Sequence, residues 1–194
     1  MSHYYINDPN LKSDKRIITY GYLGKELKFY SDLGVFSKDR VDRGTDILLN
    51  TLELEGPKIL DLGCGIGIIG VALASGDKKL EVVSTDVNER ALNLAKENYE
   101  LNGIKNFEVF LSDGYENIKG KFDMITLNPP IRAGKVIVDK LVLGAVNYLK
   151  EEAYLWIVIR KSQGAPSLVK RMKEVYKEVE IVKKKKDYWI IKAR

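Results

Sequence analysis

The sequence predicts an α/β fold, a mostly parallel sheet with helices on both faces, and three observations predict it. Ile59, Leu60 and Leu62 suit a strand buried on both sides, and their run passes through Asp61 directly into Gly63, Gly65 and Gly67. Those glycines permit a tight turn, after which Ile68 to Ala74 open a helix whose amide N–H groups face the turn. The next apolar run, from Leu80, ends in Asp86. It lies about 20 residues past the glycines, where a nucleotide-binding βαβ unit puts an acid on ribose hydroxyls. From Pro57 onward, short apolar runs alternate with longer amphipathic ones, the pattern of parallel strands joined by helices.

Taken in chain order, residues 14–31 carry β-branched and aromatic residues on either side of Leu23-Gly24-Lys25, a hairpin signature. Asp32 to Arg43 read as a loop leading into a helix capped by Thr45, with Ile47, Leu48 and Leu52 on its buried face. Strands fit 58–62, 80–85, 107–110, 122–127 and 153–160, and helices fit 66–75, 88–101, 134–149 and 166–178. In the last helix Leu168, Val169, Met172, Val175, Tyr176 and Val179 recur at helical spacing, with Lys170, Arg171, Lys173 and Lys177 outside. Two further strands, Glu180 to Val182 and Tyr188 to Ile191, flank Lys183 to Asp187. The four lysines read as a solvated hairpin tip guarding a sheet edge rather than as an RNA-binding patch. Trp156 and Trp189 lie in apolar runs and read as core. The chain is expected to form a single domain, with hairpin, loop and helix over 1–55 and the main sheet over 56–194.

Composition narrows the function classes. A chain of 194 residues is the size of one domain with a full core. With 45% hydrophobic and 30% charged residues it falls in the soluble globular class, and no apolar run is long enough to span a bilayer. The N-terminus lacks the basic and apolar regions of a signal peptide, so a cytoplasmic protein is expected. One cysteine and one histidine build neither a disulfide nor a zinc site, so no metal is expected. Cys64 lies inside the glycine turn, far in sequence from His3, and reads as a small apolar wall residue rather than a nucleophile. The net charge of +5 permits an anionic partner without demanding one.

Asp61 before the glycines resembles the Asp/Glu-x-Gly-x-Gly-x-Gly signature of class I S-adenosylmethionine (SAM)-dependent methyltransferases. Asn128-Pro129-Pro130, at the end of the fourth of these strands, resembles the Asn/Asp-Pro-Pro-aromatic motif of members that methylate planar amines or amides. Together with Gly34-Val35-Phe36-Ser37, Asp42-x-Gly44-Thr45 and Gly134, these motifs resemble the ribosomal RNA small-subunit guanine-N2 methyltransferase family. The likeness runs from about residue 20 to the C-terminus and corresponds to that family's catalytic domain.

The resemblance implies the Rossmann-like class I methyltransferase fold, a seven-stranded sheet with its last strand inserted antiparallel. It implies SAM as cofactor, held by Asp61, Gly63, Cys64, Gly65, Gly67, Asp86, Val87, Asp113, Gly114 and Asn128. Asp86 would take the ribose hydroxyls, Asp113 the adenine amino group, and Asp61 the methionine end. Asn128, Pro129 and Pro130 are the candidate catalytic residues. An exocyclic amine is a poor nucleophile because its lone pair is delocalised, and two carbonyl acceptors turn that lone pair toward the methyl and stabilise the developing charge. Phe36, Ile131 and Arg132 are the candidate substrate contacts. Ile131 stands where the family commonly has an aromatic able to stack on a base, and Arg132 where it often has His.

The expected function is SAM-dependent N-methylation of an exocyclic amine, guanine N2, in RNA, with ribosomal RNA as the partner. The alternatives are a glutamine side-chain amide in protein, adenine N6 or cytosine N4 in nucleic acid, and a SAM-binding module without catalysis. For the last of these, amine acceptors beside the cofactor would have no use.

Overall fold

The computed structural model describes residues 11–194. His3 and the N-terminal residues on which the localisation expectation rested lie outside the described residues. A hairpin comes first, β1 (Arg16–Tyr22) and β2 (Lys25–Ser31), followed by α1 (Arg43–Leu49). The alternating part runs β3 (Lys58–Leu62), α2 (Ile68–Gly76), β4 (Glu81–Asp86), α3 (Glu89–Leu101), β5 (Phe107–Leu111), β6 (Phe122–Leu127), α4 (Lys135–Gly144) and β7 (Leu149–Arg160). It ends with α5 (Ala165–Met172), β8 (Val179–Lys185) and β9 (Tyr188–Ala193).

The main sheet has seven strands in the order β5-β4-β3-β6-β7-β9-β8, and only β9 runs against the rest. The chain steps outward from β3 to β4 and β5, then returns to β6 on the other side of β3. Ligands of open α/β sheets bind beyond the carboxyl ends of the strands at such a reversal. This puts the end of β3, with Asp61 and the glycine turn, beside the end of β6, where Asn128 begins the next loop.

Strand residues alternate between two cores because successive side chains point to opposite faces. Ile59, Met124, Trp156 and Ile190 face α1, α2, α3 and the hairpin, whereas Leu60, Leu62, Ile125 and Leu127 face α4 and α5. The hairpin is tied down by two asparagines one turn apart, Asn98 on α3 and Asn102 at its C-terminal cap. Asn102 pairs with the backbone N–H and C=O of Lys28, and Asn98 with those of Tyr30, so helix side chains satisfy strand groups that would otherwise lie open. Asn98 also donates to the Ile66 carbonyl, linking the hairpin to the glycine turn.

Several boundaries depart from the sequence expectation. Asp42, not Thr45, caps α1: its carboxylate accepts from the backbone N–H of Gly44 at 2.8 Å and of Thr45 at 3.2 Å. Leu52, expected on the buried face, is only half-buried. α4 stops at Gly144 and continues as a 3-10 turn, and β7 starts at Leu149 because Leu149 pairs with Phe122 ahead of a bulge. α5 ends at Met172 rather than 178. Tyr176 donates to the Val142 carbonyl, Val175 is exposed and Val179 opens β8. Trp156 is core, as expected, while Trp189 is half-buried with the Lys184 ammonium 4.4 Å from its ring centroid. β8 is a sheet edge, and exposed Lys183, Lys184 and Lys185 lie along it, as the edge-guarding reading requires. Among the described residues no helix is long and apolar enough to cross a membrane.

Candidate functional site

A cavity of about 360 Å³ opens at the carboxyl ends of β3, β4, β5 and β6, covered on one side by the segment from Phe36 to Thr45. Its floor is the start of the glycine turn; Gly67, also expected to hold the cofactor, does not line it and faces Ala95 and Tyr99 of α3. Gly63, Gly65 and Gly67 all have positive φ (65°, 54° and 83°), which residues with a Cβ rarely adopt, and Gly67 caps α2 from that conformation. Gly63, Cys64 and Gly65 line the cavity, as do Asp86, Val87, Asp113, Gly114, Asn128, Pro129, Pro130 and Phe36.

The Asp86 carboxylate closes the turn, since its Oδ2 accepts from Gly65 N–H at 2.8 Å and its Oδ1 from Asn88 N–H at 2.9 Å. Burial pushes its pKa up, against the pull of these backbone donors. Val87 N–H is a third backbone donor to it, so of a carboxylate's about four acceptor positions one remains for a hydroxyl. Asp113 pairs with Lys140 at 3.3 Å on the exposed side of the cavity. Cys64 is buried, and burial reinforced by Asp86 and Asp61 drives its thiol well above the ordinary range, so it stays protonated and unreactive.

Asp61 is placed otherwise than expected. It is 1% exposed and does not line the cavity; its carboxylate lies beneath the turn, accepting from Gly70 N–H at 3.0 Å and the Thr126 hydroxyl at 3.3 Å. It fastens the start of α2 to β6. Burial is the dominant effect on its pKa, raising it from 3.8 to about 7, while those two donors pull it down and Asp86 adds repulsion. Between these values the native state holds a proton that the unfolded chain has lost, so stability should fall as pH rises from about 4 to about 7 and then level off. The expected loss is on the order of 2–4 kcal/mol. Asp61→Asn should remove this slope in urea unfolding of the cofactor-free protein, and an unchanged slope would show that Asp61 ionises normally.

At the end of β6, Pro130 (φ −75°, ψ 78°) is the centre of an inverse γ-turn in which Ile131 N–H donates to the Pro129 carbonyl at 2.9 Å. Proline's fixed φ suits this turn, and the Pro129 oxygen keeps one lone pair for a further donor. The turn changes the assignment of the next residues. Ile131 packs against the α4–α5 core, Arg132 is exposed, and neither lines the cavity; Ala133 and Ile137 form that wall. The expected contact of a base with Ile131 therefore does not follow from this geometry.

The Asn128 amide nitrogen donates to Thr45 Oγ1 at 2.9 Å and to Asp42 Oδ2 at 3.2 Å, whereas no described residue donates to its carbonyl oxygen. Asn128 thus presents an acceptor beside the glycine turn. These partners, and the cavity walls Ser112, Ile137 and Leu141, carry no motif that sequence reading had singled out for those contacts. Only the Asp42-x-Gly44-Thr45 spacing signalled that its segment mattered.

A model of the methyltransferase small domain (MTS) matches residues 26–192. The chain is 45% identical over 99% of its length to the uncharacterized protein YbxB of Bacillus subtilis, covering 98% of that protein. It is 35% identical to ribosomal RNA small subunit methyltransferase C of Haemophilus influenzae over 76% of this chain and 46% of that one. Among solved structures, the 16S rRNA N2 G1207 methyltransferase of T. thermophilus in complex with AdoMet and guanosine superposes with a TM-score of 0.83. The identity is 26%, covering 96% of this chain and 52% of that one. The chain thus spans about half the length of these two ribosomal RNA methyltransferases. The family model's extent and the structural superposition show that the chain belongs to the methyltransferase small domain family and has the fold of SAM-dependent methyltransferases.

Proposed function

We propose that this SAM-dependent methyltransferase methylates an exocyclic amine of RNA, guanine N2, with Asn128, Pro129 and Pro130 holding the amine. One observation carries the reading: Asn128 and Pro129 line the cavity where β6 meets the glycine turn, and the carbonyl oxygen of each has acceptor capacity unspent. The cavity suits SAM, because Asp86 can accept from a ribose hydroxyl, Val87 and Leu141 offer apolar surface to a flat base, and Asp113 can accept from an amino group. Bound there, SAM supplies a methyl group already activated by a sulfonium.

The protein's own part is positional and electrostatic. Asn128 and Pro129 each accept one amine N–H, which turns the nitrogen lone pair toward the methyl and stabilises the positive charge that grows on nitrogen. That nitrogen then sheds its proton to water.

RNA as the acceptor is supported by charge as well as by kinship. Arg40 lines the cavity, Arg132 and Lys135 are exposed just past Pro130, and Arg160 and Lys161 are exposed at the end of β7. At that end the Asp187 backbone carbonyl accepts from Lys161 N–H and its carboxylate from Ser162 N–H. The acids on the β5 side, Asp113 and Glu116, are paired with Lys140. Guanine is supported by the guanosine in the T. thermophilus enzyme.

The test is transfer of label from radioactive SAM to separate RNA, DNA and protein fractions, followed by nucleoside analysis. N2-methylguanosine is the expected product, and label on a protein amide or another base would overturn the assignment. Binding of the RNA substrate should weaken steeply with salt through counterion release, with SAM affinity nearly constant. A flat salt response would exclude a phosphate-rich acceptor.

A further inference from the structure

We propose that Asp42 and Thr45 are positioning residues for methyl transfer, a clamp that fixes which face of the Asn128 amide meets the target amine. The inference rests on reading Asn128 as the amine acceptor. An amide offers two nearly isosteric ends, one accepting and one donating, and only the accepting end assists an amine nucleophile. At Asn128 a carboxylate decides between them. Asp42 Oδ2, 3.2 Å from the amide nitrogen, only accepts, so the NH₂ faces it, and the reverse orientation would set two oxygens against each other. The Thr45 hydroxyl, 2.9 Å from the same nitrogen, takes the other amide hydrogen and fixes the amide in position.

The clamp is itself held. The same Asp42 oxygen accepts from Gly44 and Thr45 N–H, so the helix cap anchors the carboxylate. Gly44 leaves the necessary space, since a Cβ there would stand 2.8 Å from Asp42 Oδ2 and 3.0 Å from the Tyr188 ring. The spacing Asp42-x-Gly44-Thr45 is thereby explained: a carboxylate, room for it, and a hydroxyl one step further round the helix start. The bonds also run in series. The carboxylate polarises the amide, which makes the Asn128 carbonyl a stronger acceptor for an amine gaining positive charge.

Thr45→Val tests this, because it removes the hydroxyl and leaves the backbone cap in place. With unmodified small-subunit ribosomal RNA as acceptor, single-turnover transfer at saturating SAM should fall about 10-fold, the scale of one hydrogen bond. SAM affinity by calorimetry and thermal stability should stay unchanged, and Thr45→Ser should restore the rate. In an Asn128→Ala background Thr45→Val should have no further effect, since the group it positions is gone. A normal rate in Thr45→Val beside a slow Asn128→Ala would overturn the inference alone. So would additive losses, or weakened SAM affinity with an intact saturated rate. Full activity of Asn128→Ala would overturn the amine reading, and the clamp with it.

Discussion

Asn128→Ala should lower single-turnover methyl transfer by at least about 100-fold, the scale on which an acceptor for developing charge acts. SAM affinity should remain nearly intact. The separation follows from the proposed roles: the ribose and adenine contacts are assigned to Asp86 and Asp113, whereas Asn128, its amide nitrogen held by Thr45, keeps its carbonyl oxygen for the amine. Single-turnover rates beside calorimetric SAM titration measure the two quantities independently. A loss confined to SAM binding would move Asn128 from the amine to the cofactor, and an unimpaired rate would remove the main reason for preferring N-methylation. The fold should survive the change, because the groups released, Asp42 Oδ2 and Thr45 Oγ1, are half-satisfied elsewhere or reachable by water in an open cavity.

Asp86→Ala should weaken SAM binding by about 2–3 kcal/mol, the cost of losing charged hydrogen bonds to the ribose. The structure adds a second route to that loss, since the same carboxylate bonds the N–H groups of Gly65 and Asn88 and so shapes the floor of the cavity. Asp86→Asn, which keeps one oxygen, should lose less. Burial raises the Asp86 pKa, so SAM affinity should start to decline at a higher pH than an ordinary carboxylate would dictate as the buffer is acidified. Unchanged affinity in Asp86→Ala would place the acid outside the binding contacts.

By itself the sequence determined the parallel core, the glycine turn and the spacing of Asp86 beyond it. These are local matters: a strand buried on both faces must be apolar, a backbone with positive φ needs glycine, and βαβ geometry sets the distance between strand ends. The strand from Phe122 to Leu127 and the Asn128-Pro129-Pro130 turn after it were legible for the same reason. Helix ends were less so. Val175 and Tyr176 keep the helical spacing, but the Tyr176 bond to Val142 and the pairing of Val179 outweigh it. Tertiary structure alone decided which side-chain atoms meet. Asp42 and Thr45 reach Asn128 across more than 80 residues because α1, packed against α2, β7 and β9, sets its first turn beside the end of β6. Asp61 turned from the cavity to the start of α2, and after the γ-turn at Pro130 Ile131 packs, half-buried, against the α4–α5 core. Residue spacing encodes backbone shape, whereas the partner of a polar group depends on which segments the strand order brings together.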